Sequence, residues 1–320
     1  MATLYPMKLE AAYKDYIWGG TRLKEEFGKV TSVSPVAESW EISCHPDGES
    51  KIINGEYEGM NLWSVLSSNP EMIGSKCRDI TQFPILIKLI DAKEKLSLQV
   101  HPDDEYAQRV ESQQGKNEMW YIVDCEPGAQ LILGFKQDHT TEELSLMIEN
   151  DTLPDHIQYI DIKQGDCYCI PAGLLHAICE GVLIIELQQN SNLTYRVYDY
   201  GRVGADGQLR ELHIKKALDV TNTALRPEKS DYGVIKTANY VEEKLADWDY
   251  FNAWKISLFG KIELNAKPES FQTLTCLNGS ATLQYADESM SHGKGESICI
   301  PAGFGKYSME GDAEFFFVEL

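Results

Sequence analysis

The chain has no apolar run approaching the ~20 residues that cross a bilayer as a helix, which excludes a helical membrane span. It has no Cys-x-x-Cys pair, which excludes the thiolate zinc sites built on that spacing. Basic charge is scarce: 29 lysines and arginines stand against 50 acidic residues, a net charge of −21. Such a surface repels phosphodiester backbones and anionic lipid, so neither nucleic acid nor a membrane is expected as a partner. A small anion stays admissible, because a few cations in a cleft act at close range while distant charges are screened. No charged-then-apolar leader opens the sequence, so a cytoplasmic location is expected. The eight cysteines sit mostly in apolar, strand-like runs such as Cys167-Tyr168-Cys169-Ile170 and read as reduced core residues.

What is present is apolar substance for two folded units: 320 residues, 43% of them hydrophobic and an ordinary 25% charged. The texture is short strands punctuated by Gly, Pro and Asp, as in Phe83 to Ile90, Gln130 to Gly134, Gly181 to Gln188 and Phe315 to Val318. Helical patterning is confined to Thr140 to Asn150, where Thr141 can cap and Glu142 and Glu143 fill the first turn, and to the shorter Leu62 to Ser67 and Ile214 to Asn222. The acidic run Asp103-Asp104-Glu105 reads as another helix start. The class is all-β with short helical insertions.

One segment recurs. Gly165-Asp-Cys-Tyr-Cys-Ile-Pro-Ala-Gly173 is echoed by Gly295-Glu-Ser-Ile-Cys-Ile-Pro-Ala-Gly303. Upstream of each stands a Cys-x-x-Gly segment read as a turn between strands, Cys125 to Gly128 and Cys276 to Gly279. Matched landmarks in the same order predict two copies of one β-barrel, the first over residues 1–235 with added N-terminal strands and a helical insertion, the second over 236–320. Trp254 to Leu258 reads as an early strand of the second copy, after the linker-like Arg226-Pro227-Glu228-Lys229-Ser230.

Three segments of the first copy carry chemistry. In Ser97-Leu98-Gln99-Val100-His101-Pro102, strand alternation sends Gln99 and His101 to one side, where they can act as two metal ligands or as an ordinary polar pair. In Lys116-Asn117-Glu118-Met119-Trp120, an inward Glu118 needs a partner to offset its desolvation. A metal is one such partner, and an ion pair with Lys116 on an exposed edge is the other. His176 follows the first Pro-Ala-Gly turn, and Lys306 occupies the matching place in the second copy. The second copy's one histidine, His292, reads as a loop residue, so the ligand set belongs to the first barrel alone. Two imidazoles, a carboxylate and an amide suit Zn²⁺, with Fe²⁺, Mn²⁺ or Co²⁺ also admissible. His45, His139, His156 and His213 lack partners at ligand spacing and read as solvated or locally bonded. Trp18-Gly19-Gly20 reads as pocket wall or as a simple turn.

These barrel motifs resemble cupins. The set Ser-Leu-Gln-Val-His-Pro-Asp, Gly-Lys-Asn-Glu-Met-Trp-Tyr and Pro-Ala-Gly-x-x-His-Ala, with Tyr195-Arg196-x-Tyr198-Asp199, resembles the short bacterial form of type I mannose-6-phosphate isomerases, most strongly from Phe83 to Arg202. The resemblance implies two cupin-type jelly rolls and one Zn²⁺ per chain held by Gln99, His101, Glu118 and His176. It implies an aldose–ketose isomerase that interconverts mannose 6-phosphate and fructose 6-phosphate through an enediol. Lys116, Arg196 and Glu186 are the implied catalytic groups, and Ser97 and Lys88 the implied substrate contacts. Longer members carry an acid four positions before the arginine; here that position is Asn192, so no acid role transfers to it. Arg202 and Lys95 join Lys88 and Arg196 as candidate phosphate anchors, because arginine meets phosphate bidentately and Gly201 lets the backbone approach a ligand. The proton could be taken by a metal-bound hydroxide, by Glu186 or by a route through His101. An iron-dependent bicupin oxygenase and a non-catalytic sugar-phosphate-binding protein are the competing readings. A monomer or weak homodimer is expected.

Overall fold

Strand alternation divides the apolar runs between two cores. Ile85, Ile87 and Leu89 cluster with Met119, Tyr121, Leu183, Ile185 and Leu187. Ile90 instead joins Trp120, Ile122, Val182 and Ile184. Successive side chains of one strand point to opposite faces, and here both faces are covered: every residue of Ile85–Ala92 and of Val182–Gln189 is buried. A doubly covered strand reads as a nearly unbroken apolar run, and its polar exceptions are therefore informative. Lys88 lies opposite Glu186, Glu186 opposite Trp120, and Gln188 opposite Glu118. Directly opposed residues share a face, so these polar groups line the inside of one sheet.

The computed structural model describes residues 3–77, 81–204 and 207–320. A seven-stranded antiparallel sheet runs in the order Glu228–Lys229, Cys167–Ile170, Glu118–Cys125, Val182–Gln189, Ile85–Ala92, Glu38–Ile42, Ala12–Lys14. A five-stranded sheet, Ile157–Asp161, Gln130–Phe135, His176–Ile178, Leu98–Val100, Tyr195–Tyr198, faces it across the core that Leu131, Leu133 and Ile178 share with Trp120, Ile122 and Ile184. Helices Thr141–Glu149, Leu153–His156 and Ile214–Val220 cover the other face of the smaller sheet through Leu144, Met147, Leu153 and Ala217. Seven C-terminal strands, together with the N-terminal Met7–Glu10 and Lys51–Ile52, form a nine-stranded sheet around Ile256, Leu258, Leu274, Ile298, Phe315 and Phe317. Met7–Glu10 joins that sheet beside Ser297–Ile300, so the N-terminal strand adds to the C-terminal unit. Phe251, Phe316 and Val318 join Ile87, Tyr121 and Ile185, so the first of these cores lies between the units. The chain is all-β with short helices, as expected. No helix among the described residues is long and apolar enough to cross a membrane.

Four local expectations change. The helix expected over Thr140 to Asn150 is capped by Thr140, not Thr141: the Thr140 hydroxyl accepts from Glu143 N–H while the Glu143 carboxylate accepts from Thr140 N–H. Only Thr140 has the three-residue spacing to Glu143 that this reciprocal box needs. Cys276 to Gly279 is not a turn but lies within strand Gln272–Tyr285, at a register shift between Cys276 and Asn278. Gly279 passes there at φ +69°, and a Cβ would meet the Asp312 carbonyl at 2.2 Å. His292 is in strand Glu288–Gly293 rather than a loop, fully buried and stacked on Phe315. Trp254 to Leu258 is the start of a longer strand, Asn252–Ala266, held along its length by Gly305–Glu319. Trp18 lies in the core between the two sheets, and Gly19 passes so close to Ala37 that a Cβ would sit 2.5 Å from it. Asp103 caps helix Asp104–Glu111, as its sequence position suggested.

Candidate metal centre

Strand Leu98–Val100 lies between His176–Ile178 and Tyr195–Tyr198, with Gln99 opposite His176 on one side and Arg196 on the other. One row across the small sheet therefore presents an imidazole, an amide and a guanidinium to the same side. His101 follows at the strand's end, just before Pro102. Glu118 opens the strand Glu118–Cys125 of the facing sheet. His101, Glu118 and His176 are buried, and their ligand atoms lie within 4.8 Å of one another.

The contacts within this group fit a cation. His101 Nδ1 lies 2.7 Å from the Leu193 carbonyl and His176 Nδ1 lies 2.8 Å from the Leu174 carbonyl. A carbonyl only accepts, so each Nδ1 carries the ring proton. The two Nε2 lone pairs then face each other at 3.1 Å. Burial, with Lys116 adding to it, holds both imidazoles well below the ordinary histidine range, His176 at about 3, so neither gains a second proton near neutrality. Glu118 stands 3.5 Å from His101 Nε2 and 3.4 Å from His176 Nε2, and its Oε1 has no hydrogen-bond donor. Buried acceptors that outnumber the donors among them are costly unless a cation sits between them. The Gln99 amide is 3.4 Å from His176 Nε2, and a flip exchanges its nitrogen for its oxygen. Lys116 bonds Glu118 and reaches His101 Nε2 at 3.1 Å. The Lys116–Glu118 ion pair thus exists, but deep inside and not on an exposed edge.

A second charge group adjoins the first. Lys88 Nζ is 3.1 Å from Glu186 and 3.7 Å from Glu38. The other Glu186 oxygen accepts from the Trp120 indole N–H at 2.9 Å. Burial alone would raise the Glu186 pKa, yet Lys116 and Lys88 outweigh it and hold the carboxyl down. Glu118 goes the other way: burial and the neighbouring Glu186 push its carboxyl up. Two carboxylates in one interior are thereby driven apart in proton affinity.

Arg196 is half-buried, its Nη1 donating to the Glu211 carbonyl at 2.7 Å and its Nε without a partner. Burial, then Arg210, depress its pKa. Arg202 and Arg210 both bond Asp199, and Arg202 also donates to the Lys95 carbonyl. Lys95 Nζ lies over the Tyr200 ring at 4.1 Å. Ser97 is buried just ahead of Leu98–Val100. The fold thus gathers Gln99, His101, Glu118, His176, Lys116, Lys88 and Glu186 into one interior and sets Arg196 beside Gln99. It places Arg202 in a separate arginine cluster around Asp199. Sequence reading missed Glu38, Trp40 and Arg210. The Glu38-Ser39-Trp40 alternation, polar and aromatic in a buried strand, was the available signal for the first two; Arg210 lies in a loop without pattern.

Residues 6–127 match the model of the phosphomannose isomerase type I catalytic domain, and residues 241–320 match the mannose-6-phosphate isomerase cupin domain. The mannose-6-phosphate isomerase ManA of Bacillus subtilis (strain 168) is 35% identical over 98% of this chain and 98% of its own length. The mannose-6-phosphate isomerase of Streptococcus mutans is 32% identical over 97% and 96%. The crystal structure of the mannose 6-phosphate isomerase from Bacillus subtilis superposes with a TM-score of 0.94 at 35% identity, covering 98% of this chain and 99% of that one. A zinc-bound mannose 6-phosphate isomerase shares the fold, with a TM-score of 0.77 at 16% identity over 98% of both chains.

Proposed function

The chain belongs to the type I phosphomannose isomerases, and we propose that it interconverts mannose 6-phosphate and fructose 6-phosphate with a divalent metal held by Gln99, His101, Glu118 and His176. The observation that carries the metal is the pair of unprotonated imidazole nitrogens facing each other at 3.1 Å beside an undonated Glu118 oxygen. Two neutral imidazoles with a carboxylate and an amide favour zinc, the ion in the zinc-bound structure of the same fold. Bound there, zinc supplies Lewis acidity toward the sugar oxygens.

The reaction moves a proton between C1 and C2, and negative charge develops on the enediol oxygens. Lys116, fixed between Glu118 and His101, and Arg196, across the strand from Gln99, supply positive charge to that developing anion. Glu186 keeps Lys88 charged and, with its proton affinity held down, is a weak base. Its part is to order the cations. Lys88 and Ser97 face the sugar. Arg202, joined by Arg210, anchors the phosphate from the cluster around Asp199. Residues 1–235 carry this site. Residues 236–320 form a metal-free companion, in which Lys306 follows the second Pro-Ala-Gly turn where His176 follows the first.

An assay coupling fructose 6-phosphate formation to a reporter enzyme tests the activity, with metal content measured on the same protein. Turnover of mannose 6-phosphate with about one zinc per chain is expected. Zinc-loaded protein that forms no fructose 6-phosphate, while iron-loaded protein consumes oxygen, would replace this reading with the oxygenase.

A further inference from the structure

The hairpin Cys44–His45 and Gly48–Glu49 forms a two-stranded sheet of its own. With the segment that follows strand Val182–Gln189, it encloses a cavity of 560 Å³ lined by His45, Asp47, Trp63, Asn190, Asn192 and Leu193. That volume lies within the roughly 300–1,000 Å³ of small-molecule sites. Leu193 connects the cavity to the metal centre, since its carbonyl holds His101 Nδ1. Asn192 Nδ2 donates to Asp47 Oδ2 at 2.7 Å and ties the hairpin to the same segment.

His45 is a buried titratable group in this wall. The Asp47 backbone N–H donates to His45 Nδ1 at 3.1 Å. An N–H donor needs a lone pair, so the neutral ring carries its proton on Nε2. Nε2 has no partner among the described residues. The ring stands edge-on to Trp40 at 5.8 Å, and the ammonium of Lys88 lies 5.1 Å from that same indole. His45 therefore shares a wall with the interior lysine. Burial depresses its pKa, and Lys88 and Lys14 depress it further against the opposing pull of Asp47.

Resting on the isomerase reading, we propose that His45 is a substrate-binding residue whose Nε2–H donates a hydrogen bond to an oxygen of the bound sugar phosphate. The backbone fixes the tautomer, Trp40 fixes the ring, and the Asn192–Asp47 bond holds the hairpin in place. A donor set in this way is pre-organised and loses little entropy on binding.

Two variants separate this role from mere support of the hairpin. His45→Asn keeps an acceptor for the Asp47 N–H but removes the Nε2–H donor; His45→Gln reaches the Nε2 position. His45→Asn should raise KM for mannose 6-phosphate about tenfold, the effect of one lost hydrogen bond, with kcat and zinc content held. His45→Gln should recover most of the loss. Sorbitol 6-phosphate, an acyclic analogue, provides the second arm. It should bind zinc-loaded His45→Asn about tenfold more weakly by calorimetry, and it should shift the His45 Nε2–H resonance of the unaltered protein. Unchanged KM in His45→Asn, or a His45 Nε2–H signal indifferent to saturating sorbitol 6-phosphate, overturns the proposal. An unaltered protein without isomerase activity overturns the functional reading instead, and the binding arm still reports on His45.

Discussion

Glu186→Gln keeps the side chain's shape and removes its charge, which makes it a sharp test of the buried ion group. In the folded chain one Glu186 oxygen is 3.1 Å from Lys88 Nζ and the other accepts from Trp120. Lys88 is 4% exposed, and its only other carboxylate among the described residues, Glu38, is at 3.7 Å. Removing one partner of a buried pair costs ~3–5 kcal/mol, because the other charge stays behind uncompensated. The surviving Glu38 contact and the retained Trp120 contact place the cost near the lower end, about 3 kcal/mol. Urea unfolding of the unaltered protein, Glu186→Gln, Lys88→Met and the double variant measures it, with and without zinc. The double variant should be more stable than the sum of the single losses implies, with a coupling of about 2 kcal/mol. The effect should depend on pH with a definite sign. A carboxyl held below its ordinary value adds stability above about 4.5 and loses it as pH falls toward the folded value. The gap between the unaltered protein and Glu186→Gln should therefore narrow below pH 4.5. A Glu186→Gln midpoint equal to that of the unaltered protein, or a strictly additive cycle, would refute the pair.

His176→Ala should strip zinc and activity together, read by atomic emission on dialysed protein; full zinc occupancy would remove His176 from the ligand set. Arg196→Ala should leave zinc bound and lower kcat about 10²–10³-fold, as loss of one charge-stabilising donor does; turnover within a factor of about two would take Arg196 out of the mechanism. Glu41→Gln addresses the clasp between the units, where Glu41, 2% exposed, binds Lys29, Ser39 and the Ser297 hydroxyl of the C-terminal sheet. It should lower Tm by about 5 °C or more in calorimetry while kcat/KM holds, on a cost of ~3 kcal/mol. An unchanged Tm would mean that this network adds nothing to stability.

The metal centre was legible because its residues lie at strand ends in short motifs, where a period of two decides which side chains converge. Gln99 and His101 follow from that alternation, and the fold places them beside Glu118 and His176. The ion group around Lys88 was only half legible. Glu38 and Trp40 lie about fifty residues upstream, and nothing local says that their strand pairs with Ile85–Ala92. Pairing of distant strands is set by the tertiary core. The Cys276 to Gly279 error has a related cause: an Asn-Gly step ordinarily marks a turn, but here glycine serves a register shift inside a long strand. His45 was read as solvated or locally bonded. The local bond exists, while its burial comes from the hairpin folding over Trp40.

The charge of −21 and an anionic substrate are reconciled by where the charges lie. Exposed acids beyond a Debye length of ~8 Å are largely screened at physiological salt. Inside, the count is local. Lys88 and Lys116 face Glu38, Glu118 and Glu186, a balance of 2 − 3 = −1. A divalent ion on the His101, Glu118 and His176 cluster turns that balance to +1. Outside it, Arg196, Arg202 and Arg210 face Asp199 and Glu211, a balance of 3 − 2 = +1. The carboxyl of Asp199 would rise with burial, but the two arginines bonded to it hold it down and charged. At an effective dielectric near 20, one unit charge 4 Å away is worth about 4 kcal/mol, against about 1 kcal/mol in water. A phosphate dianion entering this cleft therefore meets a positive local field despite the acidic exterior. The interior carboxylates order both lysines and keep Lys88 protonated, so positive charge stands ready where the enediol's negative charge appears.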